Sequence, residues 1–422
     1  MRPEVRHRGL IDTSAVTDVL AADALRPEPR TRHSGFAVAA LFFVNGATFS
    51  NWLPRIPEIR DRLGVGNAGL GATLLGGGLG GIIGSLLVAR VVDRLGSRRL
   101  VMIAASLLSI GLPLIAFVPV AWGLLLVLTS LGLLDVFNDV SMNAQGVVVQ
   151  QRLGRSIMNR LHAMWSLGFT GGALIGSAAA AAGIGVRLHL TVVGVLLLTT
   201  VVVVQRWLVP VDPPPTAVVA VPAPTGDHRS RTPRLSPVVV TMAFAALGAA
   251  ALEVTPNDWA AVLMRDVFDA GRASGFGTVV CAGAMLVGRL SGDHVLDRIG
   301  ERRLLRNALA LCGVGALVTV VAPVTVLALV GLATWGLGLS VVFPQLYATA
   351  AQLPGTSAGT GLGSMLLGQR LGGMLTAISV GALAEWQDLR VAFAVVAGVA
   401  FTILLVTVRR MVGGAALAPA NP

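Results

Sequence analysis

The chain has 422 residues, of which 54% are hydrophobic and 13% charged, with a mean hydropathy of +0.77 and a formal charge of +11. So few charges cannot clothe a soluble protein of this length. A bilayer-crossing helix needs about 20 apolar residues, which leaves room for twelve crossings, and unbroken apolar runs such as Leu190 to Val204 select helices over a closed barrel.

In chain order, the first 34 residues hold six arginines and no apolar stretch long enough for a signal-peptide core, so 1–34 is expected to be a cytoplasmic tail. Hydrophobic spans follow at 35–54, 68–92, 100–119, 121–149, 157–182, 189–207, 238–261, 274–296, 304–322, 324–350, 359–386 and 390–408. They predict an all-α membrane protein with twelve transmembrane helices in two pseudo-symmetric six-helix bundles, 35–208 and 238–410. Residues 209–237, with a Pro213 to Pro215 run and three arginines, read as a cytoplasmic linker, and 411–422 as a C-terminal tail. With the amino terminus inside, 23 arginines fall in or beside the inner segments and 7 in or beside the outer ones. That is the positive-inside bias and not a nucleic-acid stripe. Cys281 and Cys312 both lie in spans without metal-ligand spacing and read as small core residues; no metal or cofactor is expected.

The two halves repeat. Asp93-Arg94-Leu95-Gly96-Ser97-Arg98-Arg99 after span two recurs 204 residues later as Asp297-Arg298-Ile299-Gly300-Glu301-Arg302-Arg303 after span eight. At an offset of 207 Trp52 matches Trp259, and at 206 Phe137 matches Phe343. Parallel six-span repeats place a substrate site between the halves near mid-membrane.

The repeated Asp-Arg-x-Gly-x-Arg-Arg resembles the signature loop of the major facilitator superfamily, over a match running from about Gly35 to Arg410. Three further segments, Asn51 to Pro57, Leu161 to Gly168 and Gly288 to Asp293, are similar to its fucose-permease-like branch. One departure is that the family's glycine four residues before the loop aspartate is Ala89 in the first copy and Asp293 in the second. A carboxylate at the end of span two can accept hydrogen bonds from a neighbouring helix amino terminus or an arginine. The resemblance therefore implies a conformational latch of Asp93, Arg94, Gly96, Arg98 and Arg99, with Asp297, Arg298, Gly300, Arg302 and Arg303 as the second copy. Arginines that simply hold the loop in the cytoplasm are the alternative.

Span four carries the densest polar pattern. At about 100° per residue, Asp135, Asn138, Asp139, Met142 and Gly146 share one face. Asp135 lies near the bilayer centre, where a charge costs roughly 2.5–3.5 kcal/mol on insertion scales. Such groups face a cavity or partners, and two carboxylates there suit reversible proton binding by Asp135 and Asp139; the alternative is a structural network packing span four on span one through Asn45. Asn45, Asn138, Asn143, Glu253, Gln345 and Arg370 are the candidate cavity residues. Gln345 matches Asp139 at the 206 offset, and Arg370, too deep to snorkel, would meet a solute or Glu253. Arg289 and Asp293, four apart, can pair, and His162 reads as a packed, hydrogen-bonded histidine, with a proton relay as the alternative. Trp52, Trp165 and Trp259 are candidates for stacking on a sugar face, with interfacial anchoring an equal explanation for Trp52 and Trp259.

We therefore expect a secondary active transporter of the plasma membrane, monomeric, moving a small polar solute of sugar-like class with protons by alternating access. Efflux of a drug or secondary metabolite is the alternative within transport, disfavoured because Gly168 to Gly176 lacks the proline of a family efflux motif; a transporter-like membrane sensor is the alternative outside it. An enzyme is not expected, since no nucleophile with its base, and no histidine cluster, sits at one depth. Reporter fusions at Arg231 and at the carboxyl end should both read cytoplasmic; an external signal from either would overturn the topology.

Overall fold

The computed structural model describes residues 29–209, 236–353 and 356–415. Most of the expected N-terminal tail, linker and C-terminal tail lies outside them. Every regular element among the described residues is a helix. Span one is Pro29–Ser50, followed by a 3-10 turn Leu53–Arg55 and a short helix Ile56–Leu63. Spans two and three run through Asn67–Phe117, and spans four, five and six are Ala121–Leu153, Met158–Ala181 and Val186–Val204. The second half repeats the order with Pro237–Asp266, Phe276–Ile299, Glu301–Val321, Thr325–Leu339 continued by Val342–Ala350, Ala358–Trp386 and Leu389–Ala415.

Ten of these helical stretches are long and apolar enough to cross a bilayer on composition alone. The 51-residue stretch among them bends at Gly96 and makes two crossings. Met158–Ala181, whose apolar character is diluted by His162, Trp165 and four glycines, makes the twelfth. Large apolar side chains such as Leu86, Leu290 and Val326 are 67–71% exposed and face the lipid.

The signature segment is not a loop but a helical bend made at one residue. Gly96 has φ 73° and ψ 155°, and Gly300 has φ 77° and ψ 160°, a conformation that a side chain would strain. The two copies thus share a backbone shape as well as a sequence. Ala89 is exposed, so the missing family glycine leaves no packing contact unmade there.

The 204-residue register extends into the packing. A Cβ on Gly132 would collide with the Gly77 carbonyl, joining span four to span two, and one on Gly336 with the Cys281 carbonyl, joining ten to eight. Gly168 meets the Phe43 carbonyl and Gly372 the Leu247 carbonyl, pairing span five with one and eleven with seven. Gly84 lies against Leu133 and Val136, as Gly288 lies against Leu337 and Ser340. The match is interrupted where span ten breaks at Ser340 and Val341, and Gly372 of span eleven is again in the 204-residue register. Cys281 and Cys312 are both fully buried. Trp52 and Trp259 are 8% and 0% exposed, so they are core residues and not interfacial anchors. Trp122 and Trp386, at span ends and 68% and 76% exposed, occupy the anchoring positions instead.

The halves close on each other at the face opposite the chain ends. Arg60 holds Asp266 through two bonds, at 2.5 and 3.0 Å, and Arg265 pairs with Asp61. Glu385 accepts from the Asn67 backbone N–H at 2.7 Å, capping span two from the other half, and Gly71 packs on the Ala377 carbonyl. At the other face Asp93, Arg94, Asp297 and Arg298 are exposed and make no ion pair among the described residues.

Gly132→Val should lower the melting temperature of detergent-purified protein by several degrees, since overpacking typically costs about 1–3 kcal/mol. Gly77→Ala, whose Cβ meets open space, should leave it nearly unchanged. Equal effects would remove close helix approach as the cause.

Candidate functional site

Span four delivers its polar residues in two directions. Asn138 is 1% exposed with Nδ2 turned to Met142 Sδ at 3.8 Å and no partner for Oδ1, and Gly146 packs on Met158 and Leu161 of span five. Asp139 is exposed. The single face expected from the helical spacing is therefore divided: its buried edge packs the bundle, and its other edge is open.

Asp135 is tied into the first half. Asn45 Nδ2 of span one donates to Asp135 Oδ1 at 3.0 Å, and Trp165 Nε1 of span five donates to Asn45 Oδ1 at 2.7 Å. The chain fixes which way the Asn45 amide points, because its donor end is spent on the carboxylate and its acceptor end on the indole. Asn143 Nδ2 donates to Asp139 Oδ1 at 3.0 Å and to the Asp139 carbonyl at 2.8 Å. Asp139 is thus held only from within its own helix.

The second half brings Arg370 against span two of the first. Its guanidinium lies against span two where Gly81 leaves room, since a Cβ there would stand 2.7 Å from Arg370 Nη1. Arg370 makes no hydrogen bond or ion pair among the described residues, so both span-four aspartates are without a cationic partner in contact. Tyr347, the chain's single tyrosine, sits in the field of Asp139, Arg370 and Glu253. Gln345 is partly buried on the same short helix, with no side-chain hydrogen bond among the described residues.

Glu253 does not meet Arg370; its ion-pair partner is Arg289 at 3.5 Å. The Asp293 side chain lies outside the described residues. Arg289 also reaches Ser166 Oγ at 3.4 Å and stands 6.0 Å from the Trp165 ring centre. These groups line a cleft with about 360 Å³ of empty space between spans five, seven and eight, with Phe169 stacked on Trp165 at 5.3 Å and Asn257 one turn beyond Glu253. Trp165 joins the two regions, its N–H bound to the Asn45 network and its ring facing the cleft. His162 lies edge-on to Phe42 at 5.3 Å.

Asn257, Phe169 and Tyr347 were not singled out by the sequence pattern. Asn257 follows Glu253 at helical spacing and was in principle visible; Tyr347 enters only because span ten breaks before it.

A search against family models matches residues 38–377 to the Major Facilitator Superfamily. An uncharacterized MFS-type transporter of Yersinia pestis is 26% identical over 87% of this chain and 92% of its own length, and the membrane protein MosC of Rhizobium meliloti is 28% identical over 77% of each. Among solved structures, the nucleoside transporter NupG superposes with a TM-score of 0.68 at 15% identity over 90% of this chain and 99% of its own. A bacterial homologue of the human lysosomal transporter Spinster, in an inward-facing and unoccupied conformation, gives 0.69 at 13% identity over 92% and 98%. The family match over four-fifths of the length, the duplicated glycine bend and the two six-helix bundles agree: this chain is a membrane transporter of the major facilitator superfamily.

Proposed function

We propose that the protein is a proton-coupled secondary transporter of the plasma membrane, acting as a monomer, that carries a small polar solute of sugar-like class by alternating access. The observation that supports this most is the position of Arg370, which belongs to the second half yet lies against Gly81 of span two, in the half that carries both span-four aspartates. With a carboxylate ionised, its attraction to Arg370 draws the halves together at mid-membrane; a proton on Asp139 weakens that attraction and frees the guanidinium for solute. Asp139 is the better proton carrier because it is exposed, while Asp135 is engaged by Asn45. Trp165 offers an aromatic face bordered by Glu253, Asn257 and Arg289, an arrangement that suits the C–H face and hydroxyl rim of a sugar-like ring.

The conformation fits one half of such a cycle. The face opposite the chain ends is shut by cross-half ion pairs, and the signature segments of the other face make no ion pair among the described residues. With the arginine bias placing the chain ends in the cytoplasm, this is an inward-open form. The latch of Asp93 and its neighbours is then a contact of the opposite conformer, alternating with Arg60–Asp266 and Arg265–Asp61.

In proteoliposomes Asp139→Asn should retain solute binding and exchange and lose uphill accumulation, because asparagine mimics the protonated carboxyl permanently. A protein with both Asp135→Asn and Asp139→Asn that still accumulates solute on a proton gradient as the wild type does would make these carboxylates structural. The solute comes first from a thermal-shift screen of sugars, nucleosides, organic acids and drug-like cations, where ligand at 100 times its dissociation constant adds about 2.7 kcal/mol. A solute that binds but never crosses would favour a sensor.

Asp93→Asn should slow turnover several-fold with solute affinity largely unchanged, since a latch acts on the balance of conformers. Unchanged turnover would reduce the segment to a topological signal.

A further inference from the structure

A second cleft, remote from the mid-membrane site, opens at the closed face between the halves. It holds about 860 Å³ of empty space, with Pro54, Arg55, Glu58 and the Gly183 to Gly185 turn on the first half and Arg265, Arg272 and Ser274 on the second. Three arginines and one glutamate line it. Glu58 is already engaged: Oε2 accepts from Arg55 Nε at 2.9 Å and Nη2 at 2.5 Å, and Oε1 accepts from the Val186 amide at 3.2 Å.

The arginines are less well compensated. Arg55 is 1% exposed, and although Nη2 also donates to the Ile184 carbonyl at 2.7 Å, Nη1 has no hydrogen-bond partner. Arg272 is exposed and makes no hydrogen bond or ion pair among the described residues. It crosses the seam to the first half over Gly183, where a Cβ would stand 2.7 Å from its Nη1. Gly183 has φ 74°, so a side chain there would be both strained and obstructive. Arg265 borders the cleft from the same half while paired to Asp61.

We propose that this cleft binds a small multivalent oxyanion of phosphate or carboxylate type, bridging Arg55 of the first half and Arg272 of the second, and that its occupancy holds this face shut. Like charges brought together across a seam oppose its closure; an oxyanion between them reverses the sign and adds charge-assisted hydrogen bonds from both sides. Because the two arginines belong to different halves, the complete site exists only while this face is closed. The anion therefore selects that conformer, and it acts whatever solute the central cavity carries. In the orientation proposed above the cleft faces outward, within reach of free anions and of lipid headgroups.

The test uses the full chain in neutral detergent at fixed ionic strength, with spin labels at Val120→Cys and Val324→Cys, the residues before spans four and ten and 204 apart. Cys281 and Cys312 are buried and stay unlabelled. Inorganic phosphate is titrated in one arm and phosphatidylglycerol in the other, following melting temperature and the label–label distance. In the wild type one of them should raise the melting temperature and sharpen the short-distance, closed population, and Arg272→Gln should weaken that response tenfold or more. A response to phosphate assigns a free oxyanion, and a response to phosphatidylglycerol alone assigns a headgroup. No response in either arm, or an undiminished response in Arg272→Gln, overturns the proposal. Since Arg272 is exposed, its replacement tests the site without burdening the fold.

Discussion

Lipid gives helices no hydrophobic reason to associate, so each stable pair in this protein depends on how closely two backbones can approach. Glycine sets that distance. In both halves it joins span two to four and one to five, or their equivalents eight to ten and seven to eleven, by admitting a carbonyl where a Cβ would collide. Because the contacts recur at the same 204-residue spacing, the halves are two copies of one packing solution and not merely two bundles of similar topology. Interfaces of this kind do not deform gradually, which suits each half to move as a body.

The seam between the halves is built differently. At the closed face it relies on Arg60 with Asp266, Arg265 with Asp61, and Glu385 on the amino end of span two. Partly exposed ion pairs contribute about 0.2–1 kcal/mol each, so two of them together shift a conformer ratio by at most roughly 30-fold. That is enough to favour one state and weak enough to be reversed by a solute, a proton or an anion. A hydrophobic seam of the same area would not open.

Polar groups deep in the protein divide along the same line. Those with complete partnerships serve the bundles: Asn45 is fixed by Trp165 on one side and Asp135 on the other, and Gln145 joins Ser97 to the Val209 backbone. Several with partial partnerships lie at the seam, although Asn138 Oδ1 is also unpartnered within the first half. Asp139 has only Asn143 of its own helix, Arg289 holds Glu253 and Ser166 at long distances, and Arg370, against Gly81 of span two, has no ion pair among the described residues. Incomplete pairing at mid-membrane is costly, and the proposed cycle uses the groups that bear that cost.

The sequence by itself determined the solvent, the number of crossings, the duplication and the glycine at each signature bend. Each is a local or periodic property: apolar length, the alternation of arginines, a repeated heptad and a residue type that alone tolerates positive φ. It also marked Asp135 and Asp139, because a charge in an apolar run stands out in one dimension. Partners were not legible. Glu253 takes Arg289 and not Arg370, Asn138 turns into the core while Asp139 is exposed, and Trp52 and Trp259 are buried where span-end tryptophans usually meet lipid. Helical periodicity fixes the angle between residues on one helix and leaves open which neighbour that angle faces. Only the tertiary structure, through the rotation of each helix set by its glycine contacts, decided which polar groups met within a half and which were left to meet across the seam.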